Sequence, residues 1–149
     1  MFQGATALNL DAKGRMAIPA RHRDVLATIG EGRLVLTTHP HRCLLLYPEP
    51  AWAPIRERIL AAPSFDPRSA AAKRVLVGNA REDGLDGAGR LLIAPELRAY
   101  AGLEKQIWLV GMGSHFEIWS DAGWAAQHEA ACAALAGDAP PPGFEGISL

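Results

Sequence analysis

The chain repeats itself, and that constrains its fold more than any other feature. Asp11-Ala12-Lys13-Gly14-Arg15-Met16-Ala17-Ile18-Pro19 returns as Asp86-Gly87-Ala88-Gly89-Arg90-Leu91-Leu92-Ile93-Ala94-Pro95. Asp, Gly, Arg and Ile match at one offset of 75 positions, and Arg23 and Arg98 keep it. Downstream, Leu34-Val35-Leu36 corresponds to Trp108-Leu109-Val110, and Leu44-Leu45-Leu46-Tyr47 to Phe116-Glu117-Ile118-Trp119. Tyr47 precedes Trp52 by the same interval at which Trp119 precedes Trp124. Self-similarity of this kind marks a duplicated structural unit.

Each copy reads the same way. An extended segment (Ala7 to Leu10, Arg81 to Leu85) runs into Asp-x-x-Gly-Arg and leaves as a short apolar strand. In such a sequence Asp11 and Asp86 accept bonds from backbone amides, while Gly14 and Gly89 tolerate positive φ. These residues predict a four-residue hairpin loop on a type I turn. Proline then opens a short helix, over 21–29 and 96–101. Two more strands follow, and then a second helix, over 52–61 in the first copy and 121–136 in the second. Asp121 is the expected N-cap of the latter. Between the copies, Pro63-Ser64-Phe65-Asp66-Pro67 reads as a turn and 68–73 as helical. Gly111-Met112-Gly113 reads as a hairpin turn; no helix follows it to receive a phosphate.

The expected class is α+β, mainly β. A unit of about 50 residues is marginal alone on surface-to-volume grounds. The two repeats, 1–62 and 75–136, should therefore share one core within a single duplicated domain spanning 1–149. The tail over 137–149, with Pro140-Pro141-Pro142, reads as extended or disordered. No apolar run approaches the roughly 20 residues of a membrane helix, and the N-terminus lacks the pattern of a signal peptide. Cys43 and Cys132 are no disulfide framework. A cytoplasmic protein is expected.

The combination resembles the MraZ family, whose halves are related to AbrB-like swapped-hairpin transcription factors. The resemblance rests on the paired Asp-x-x-x-Arg motifs, Asp11-Ala12-Lys13-Gly14-Arg15 and Asp86-Gly87-Ala88-Gly89-Arg90. Beside them stands Gly111-Met112-Gly113-Ser114-His115-Phe116-Glu117-Ile118-Trp119, and the similarity runs from about Phe2 to Ala136. It implies a pseudo-twofold swapped-hairpin barrel of two tandem SpoVT-AbrB units with peripheral helices. It also implies a nucleoid-associated regulator, assembled into a ring-like homo-oligomer. Such proteins bind direct repeats of double-stranded DNA in the promoter of a division and cell-wall gene cluster that includes their own gene. Ala88, where the first copy has Lys13, departs from the pattern and suggests unequal hairpins.

The candidate DNA contacts follow from position and chemistry. Arg15 and Arg90 stand beside a tight turn, where a guanidinium can pair bidentately with phosphate or a guanine edge. The plainer reading makes each a structural partner of Asp11 or Asp86; duplication and charge context favour the DNA role. Lys13, at the loop apex, reads as a point charge for phosphate. Arg21, Arg23, Arg81 and Arg98 read as a solvated face and are secondary, with Arg21 and Arg81 carried as secondary DNA-binding candidates. Net charge is −1, unusual for a tight monomeric DNA binder. Residues 1–33 nonetheless carry Lys13, Arg15, Arg21, Arg23 and Arg33 against Asp11, Asp24 and Glu31. A local excess of this size acts if several copies face one DNA.

Other chemistries fit less well. Asp11 and Asp86 as a proton-sharing carboxylate pair would need both at one interface, and their turn role already explains them. His39, His41 and Cys43 alternate as metal ligands on a strand would, but Pro40 puts His39 near a turn and no fourth ligand is evident. Trp52 and Trp124 read as core or interface anchors. No catalytic motif, cofactor, metal or small-molecule substrate is expected. The rival to DNA binding is an AbrB-like scaffold or antitoxin-type module whose hairpins bind a protein.

Overall fold

The computed structural model describes residues 1–137 and 139–148. The first repeat supplies β1 (Phe2–Asn9), β2 (Arg15–Ala17), α1 (Ala20–Thr28), β3 (Leu34–His39), β4 (Cys43–Pro48) and α2 (Glu49–Ala61). A linking segment holds α3 (Pro67–Ala72) and a single π-helical stretch, Lys73–Gly78. The second repeat supplies β5 (Arg81–Asp83), β6 (Arg90–Leu92), α4 (Pro95–Ala101), β7 (Gln106–Gly113), β8 (Phe116–Ser120) and α5 (Asp121–Ala134). The chain is α+β with strands predominating in the core.

The strands do not pair as simple hairpins repeat by repeat. A six-stranded antiparallel sheet runs in the order β1-β7-β8-β4-β3-β5, and β2 pairs with β6 in a separate two-stranded ribbon. The first strand of each repeat thus adds to the other repeat's hairpin: β1 to β7 and β5 to β3. This corrects the expected hairpin around Asp11. The turn closes, with Asp11 N donating to Arg15 O and Gly14 N to Asp11 O, both at 3.0 Å. Beyond it β1 and β2 diverge to different partners. Among the described residues the long ladder ends at β1 and β5 rather than closing on itself.

Burial explains the composition of the middle strands. Leu34, Leu36, Leu44 and Leu46 face a core shared with Met16, Ile18, Leu91, Ile93, Ile107, Leu109, Phe116 and Ile118. The opposite face of β3 and β4 carries Val35, Leu45 and Tyr47 against Trp52 of α2. Strands covered on both faces read as continuous apolar runs rather than alternations. Thr37 and Thr38, fully buried, are satisfied by donating to the carbonyls of Leu76 and Val75 in the π-helical stretch.

Three local expectations change. Gly111-Met112-Gly113 lies within β7, and the reversal falls at Ser114-His115. Gly111 is there because its Cα faces Gly4 of β1 so closely that a Cβ would meet Gln3 N at 2.4 Å. The N-cap of α5 is Ser120, whose hydroxyl accepts from Gly123 N at 2.9 Å. Asp121 instead accepts from Trp108 Nε1 at 2.8 Å. The described part of the tail forms turns, with Phe144 N donating to Pro141 O and Ile147 N to Phe144 O. The tail reading also covers Asp138 and Leu149, which lie outside the described residues.

Candidate nucleic-acid interface

Both Asp-x-x-x-Arg turns fold into the same network. Asp11 Oδ1 accepts from the amides of Lys13 and Arg15, each at 2.9 Å, and Oδ2 accepts from Arg15 Nε at 2.6 Å. Asp86 does the same for Ala88 N, Arg90 N and Arg90 Nε, all at 2.9 Å. Gly14 and Gly89 take φ of 83° and 74°, the left-handed region that costs glycine nothing. The backbone amide of Arg15, foremost, and its side chain hold the Asp11 carboxyl down to about 2. Asp86 is lowered by the corresponding groups of Arg90 and Ala88. A proton-sharing carboxylate pair requires the opposite, one acid pushed up by its neighbour. These aspartates are fixed anions inside turns.

Arg15 and Arg90 each spend one nitrogen on that turn. Among the described residues, their terminal nitrogens donate to no protein acceptor. The ribbon then brings the two arginines together. Arg15 pairs with Leu92 and Ala17 with Arg90 in antiparallel register. Met16 and Leu91 point into the core, so the alternation of strand side chains puts Arg15, Ala17, Arg90 and Leu92 on the outer face. Lys13 is exposed at the apex of the first turn. The second apex, Gly87-Ala88, carries no charge.

The secondary candidates are placed otherwise. Arg21 donates to Thr6 Oγ1 at 2.9 Å and to His22 Nε2 at 3.1 Å, beside β1. Arg81 occupies the position equivalent to Thr6 and pairs with Glu96, the position equivalent to Arg21, at 2.5 Å. The same contact is thus made twice with its cation exchanged, and in the second copy the charge is neutralised. Arg23 and Arg98, read from sequence as solvated, instead lie half-buried across the turns. Their shared offset was the available signal, since a common position in both copies implies a common role. A groove of about 680 Å³ flanks the second turn and carries Asp24, Glu31 and Asp83 beside Arg23 and Arg33. The two turns therefore sit in different electrostatic surroundings.

The remaining candidates fall away from the ribbon. His39 and Cys43 face each other across the β3–β4 turn, and His41 N donates to His39 Nδ1 at 3.0 Å. Burial pushes the Cys43 thiol up to about 12, which keeps it protonated and a poor metal ligand. Trp52 is buried against Tyr47, and Trp124 packs near Trp108, Trp119 and His128. Among the described residues, no helix is long and apolar enough to cross a membrane.

Comparison with known proteins agrees with the doubled geometry. The family described as "MraZ protein, putative antitoxin-like" matches this chain twice, over 1–75 and 76–138. A transcriptional regulator MraZ of Dechloromonas aromatica is 68% identical over the full length of both chains. One from Aromatoleum aromaticum is 66% identical, again over all of both. A third, from Cupriavidus pinatubonensis, is 56% identical over 89% of this chain and 92% of its own. Matched by the family in both repeats and by these relatives along its whole length, the chain is a transcriptional regulator and belongs to the MraZ family.

Proposed function

We propose that the chain regulates transcription by binding duplex DNA with the outer face of the β2–β6 ribbon and the turns that flank it. The observation that carries this reading is the presence of Arg15 and Arg90 on one outer ribbon face, their terminal nitrogens donating to no acceptor among the described residues. A two-stranded ribbon fits the major groove, and a guanidinium steadied by a carboxylate is pre-aimed for phosphate or guanine. Lys13 adds a phosphate contact at the first turn. Arg21 is a secondary contact at the rim. Arg81, paired with Glu96, contributes least.

The pairing of β1 with β7 and β5 with β3 supports a swapped-hairpin, barrel-like unit, with 1–62 and 75–136 sharing one core. With a net charge of −1, one protomer offers little attraction to DNA. Affinity then comes from a ring-like homo-oligomer presenting several ribbons to direct repeats. The target class is the promoter of a division and cell-wall gene cluster that includes the chain's own gene. The protein would then act in the cytoplasm, associated with the nucleoid.

A mobility-shift titration tests this, using a duplex from upstream of the chain's own coding sequence. Binding should weaken steeply with salt, in proportion to the phosphates neutralised. The groove at the second turn, with its mixed charge, supports a second reading: an antitoxin-type or scaffold surface for a protein partner. That reading predicts capture of a protein with a shallow salt dependence and no shift of the duplex.

A further inference from the structure

Each turn is covered by an arginine from the other repeat. A Cβ on Gly14 would stand 2.7 Å from both Cζ and Nε of Arg98; one on Gly89 would stand 2.7 Å from Cδ and Nε of Arg23. Glycine suits each turn through its positive φ, and its missing Cβ leaves the space in which the guanidinium lies.

The arginines are anchored by the residue that also anchors the turn. Ile93 N donates to Gly14 O at 3.0 Å, and Ile93 O accepts from Arg98 Nε at 3.0 Å. In mirror fashion, Ile18 N donates to Gly89 O at 3.0 Å, and Ile18 O accepts from Arg23 Nε at 2.6 Å. One isoleucine backbone thus holds the glycine carbonyl with its amide and the covering guanidinium with its carbonyl. The side chains of Ile18 and Ile93 are fully buried, so the clamp is tied to the common core. Recurrence of the whole circuit in both copies argues against an accident of surface packing.

Arginine has the right shape for this task. Its guanidinium is planar and its donors are fixed, so Nε can bond a carbonyl while a flat face rests on the glycine. Lysine has one mobile ammonium and no flat face.

We propose that Arg98 positions the Lys13–Arg15 turn and Arg23 the Arg90 turn, so that each repeat sets the DNA-reading geometry of the other. The inference rests on the ribbon being the DNA surface. It makes the repeats interdependent: the more basic first turn depends on a side chain from the second repeat. Arg98 should therefore matter more for binding than Arg23, whose turn lacks a lysine and adjoins a groove of mixed charge in which Asp24, Glu31, Asp83 and Asp86 outnumber Arg23 and Arg33.

The test uses the full chain and reads turn order apart from DNA affinity. Hydrogen–deuterium exchange without DNA follows peptides over 10–17 and 85–92, which leave out the cross-bonded amides of Ile18 and Ile93. Affinity is measured with the upstream duplex of the mobility-shift experiment. Arg98→Ala should speed exchange in the first turn alone, and Arg23→Ala in the second alone. Arg98→Ala should also lower affinity about 5- to 100-fold, the range expected for a displaced charged base contact. Arg98→Lys retains charge and stem, so it guards against simple misfolding, and it should restore neither property.

Unchanged first-turn exchange in Arg98→Ala would overturn the proposal. So would full recovery of affinity in Arg98→Lys, because that would make Arg98 a plain phosphate cation. If the turns loosen crosswise while the wild-type chain binds no duplex, the DNA reading fails and the crossed bracing stands.

Discussion

Arg15 Nε donates to Asp11 Oδ2 at 2.6 Å, and the other oxygen of that carboxylate holds the amides of Lys13 and Arg15. One aspartate therefore both shapes the turn and aims the arginine that leaves it. A structural role and the proposed DNA contact are compatible in Arg15: its ε nitrogen serves the turn, and among the described residues its terminal nitrogens donate to no protein acceptor.

Replacing Arg15 should separate these roles. Arg15→Ala removes a half-exposed ion pair, and such pairs contribute little to stability, so its denaturant midpoint should move only slightly. Binding to the upstream duplex should fall by about 1–3 kcal/mol if the lost contact is a bidentate one. Arg90→Ala should cost less, because no lysine accompanies it and Asp24, Glu31 and Asp83 lie nearby. Equal losses at one salt concentration would contradict the asymmetry.

Acid should loosen the turns before the core. The folded-state value of Asp11 lies below its ordinary 3.8, at about 2. Its contribution is complete above 3.8 and fades as pH falls from there toward 2. Asp11→Asn should then be less stable than wild type at neutral pH, with the gap closing across that interval. Chemical denaturation at stepped pH follows it.

A different pH window belongs to His22. It is buried against Phe2 and Phe116, where the second repeat has Leu97. Burial first, then the Arg21 charge, lowers its tendency to protonate. The unfolded chain therefore binds the proton more readily, and stability falls as pH drops below the ordinary 6.5. His22→Leu should blunt that fall and raise stability by about 0.5–2 kcal/mol, as read in thermal melts at pH 7 and pH 5.

Gly111 should tolerate no side chain. A methyl there would stand 2.4 Å from Gln3 N and 2.6 Å from Gln3 Cα, both backbone atoms of β1. Gly111→Ala must push β1 off β7, at a cost of about 1–3 kcal/mol typical of overpacking. Exchange of the β1 amides should rise more than that of β3.

Assembly is checked by light scattering with the duplex present and absent. A ring should appear at micromolar protein, and dilution below its assembly range should weaken DNA binding through lost avidity. Tight binding by a protein that stays monomeric would refute the ring.

The sequence by itself determined the duplication, the strand and helix order, and the chemistry of the two turns. These are local matters: Asp11 and Asp86 bond amides two and four residues on, and glycine alone enters the left-handed region at no cost. Lys13, Arg15 and Arg90 were legible as candidates for the same reason. The repeat also marked the later strands, at Leu34-Val35-Leu36 and Leu44-Leu45-Leu46-Tyr47 and at their second-copy equivalents. Only the tertiary structure decided which strand pairs with which. A turn signal fixes a reversal of the chain, but hydrogen bonds go to whichever strand the shared core brings near, so β1 left β2 for β7. The placement of Arg23 and Arg98 across the opposite turns, and of Gly111 within a strand rather than a turn, depended on that exchange. No local pattern could reveal them, because the atoms that require a glycine or hold a guanidinium belong to the other repeat.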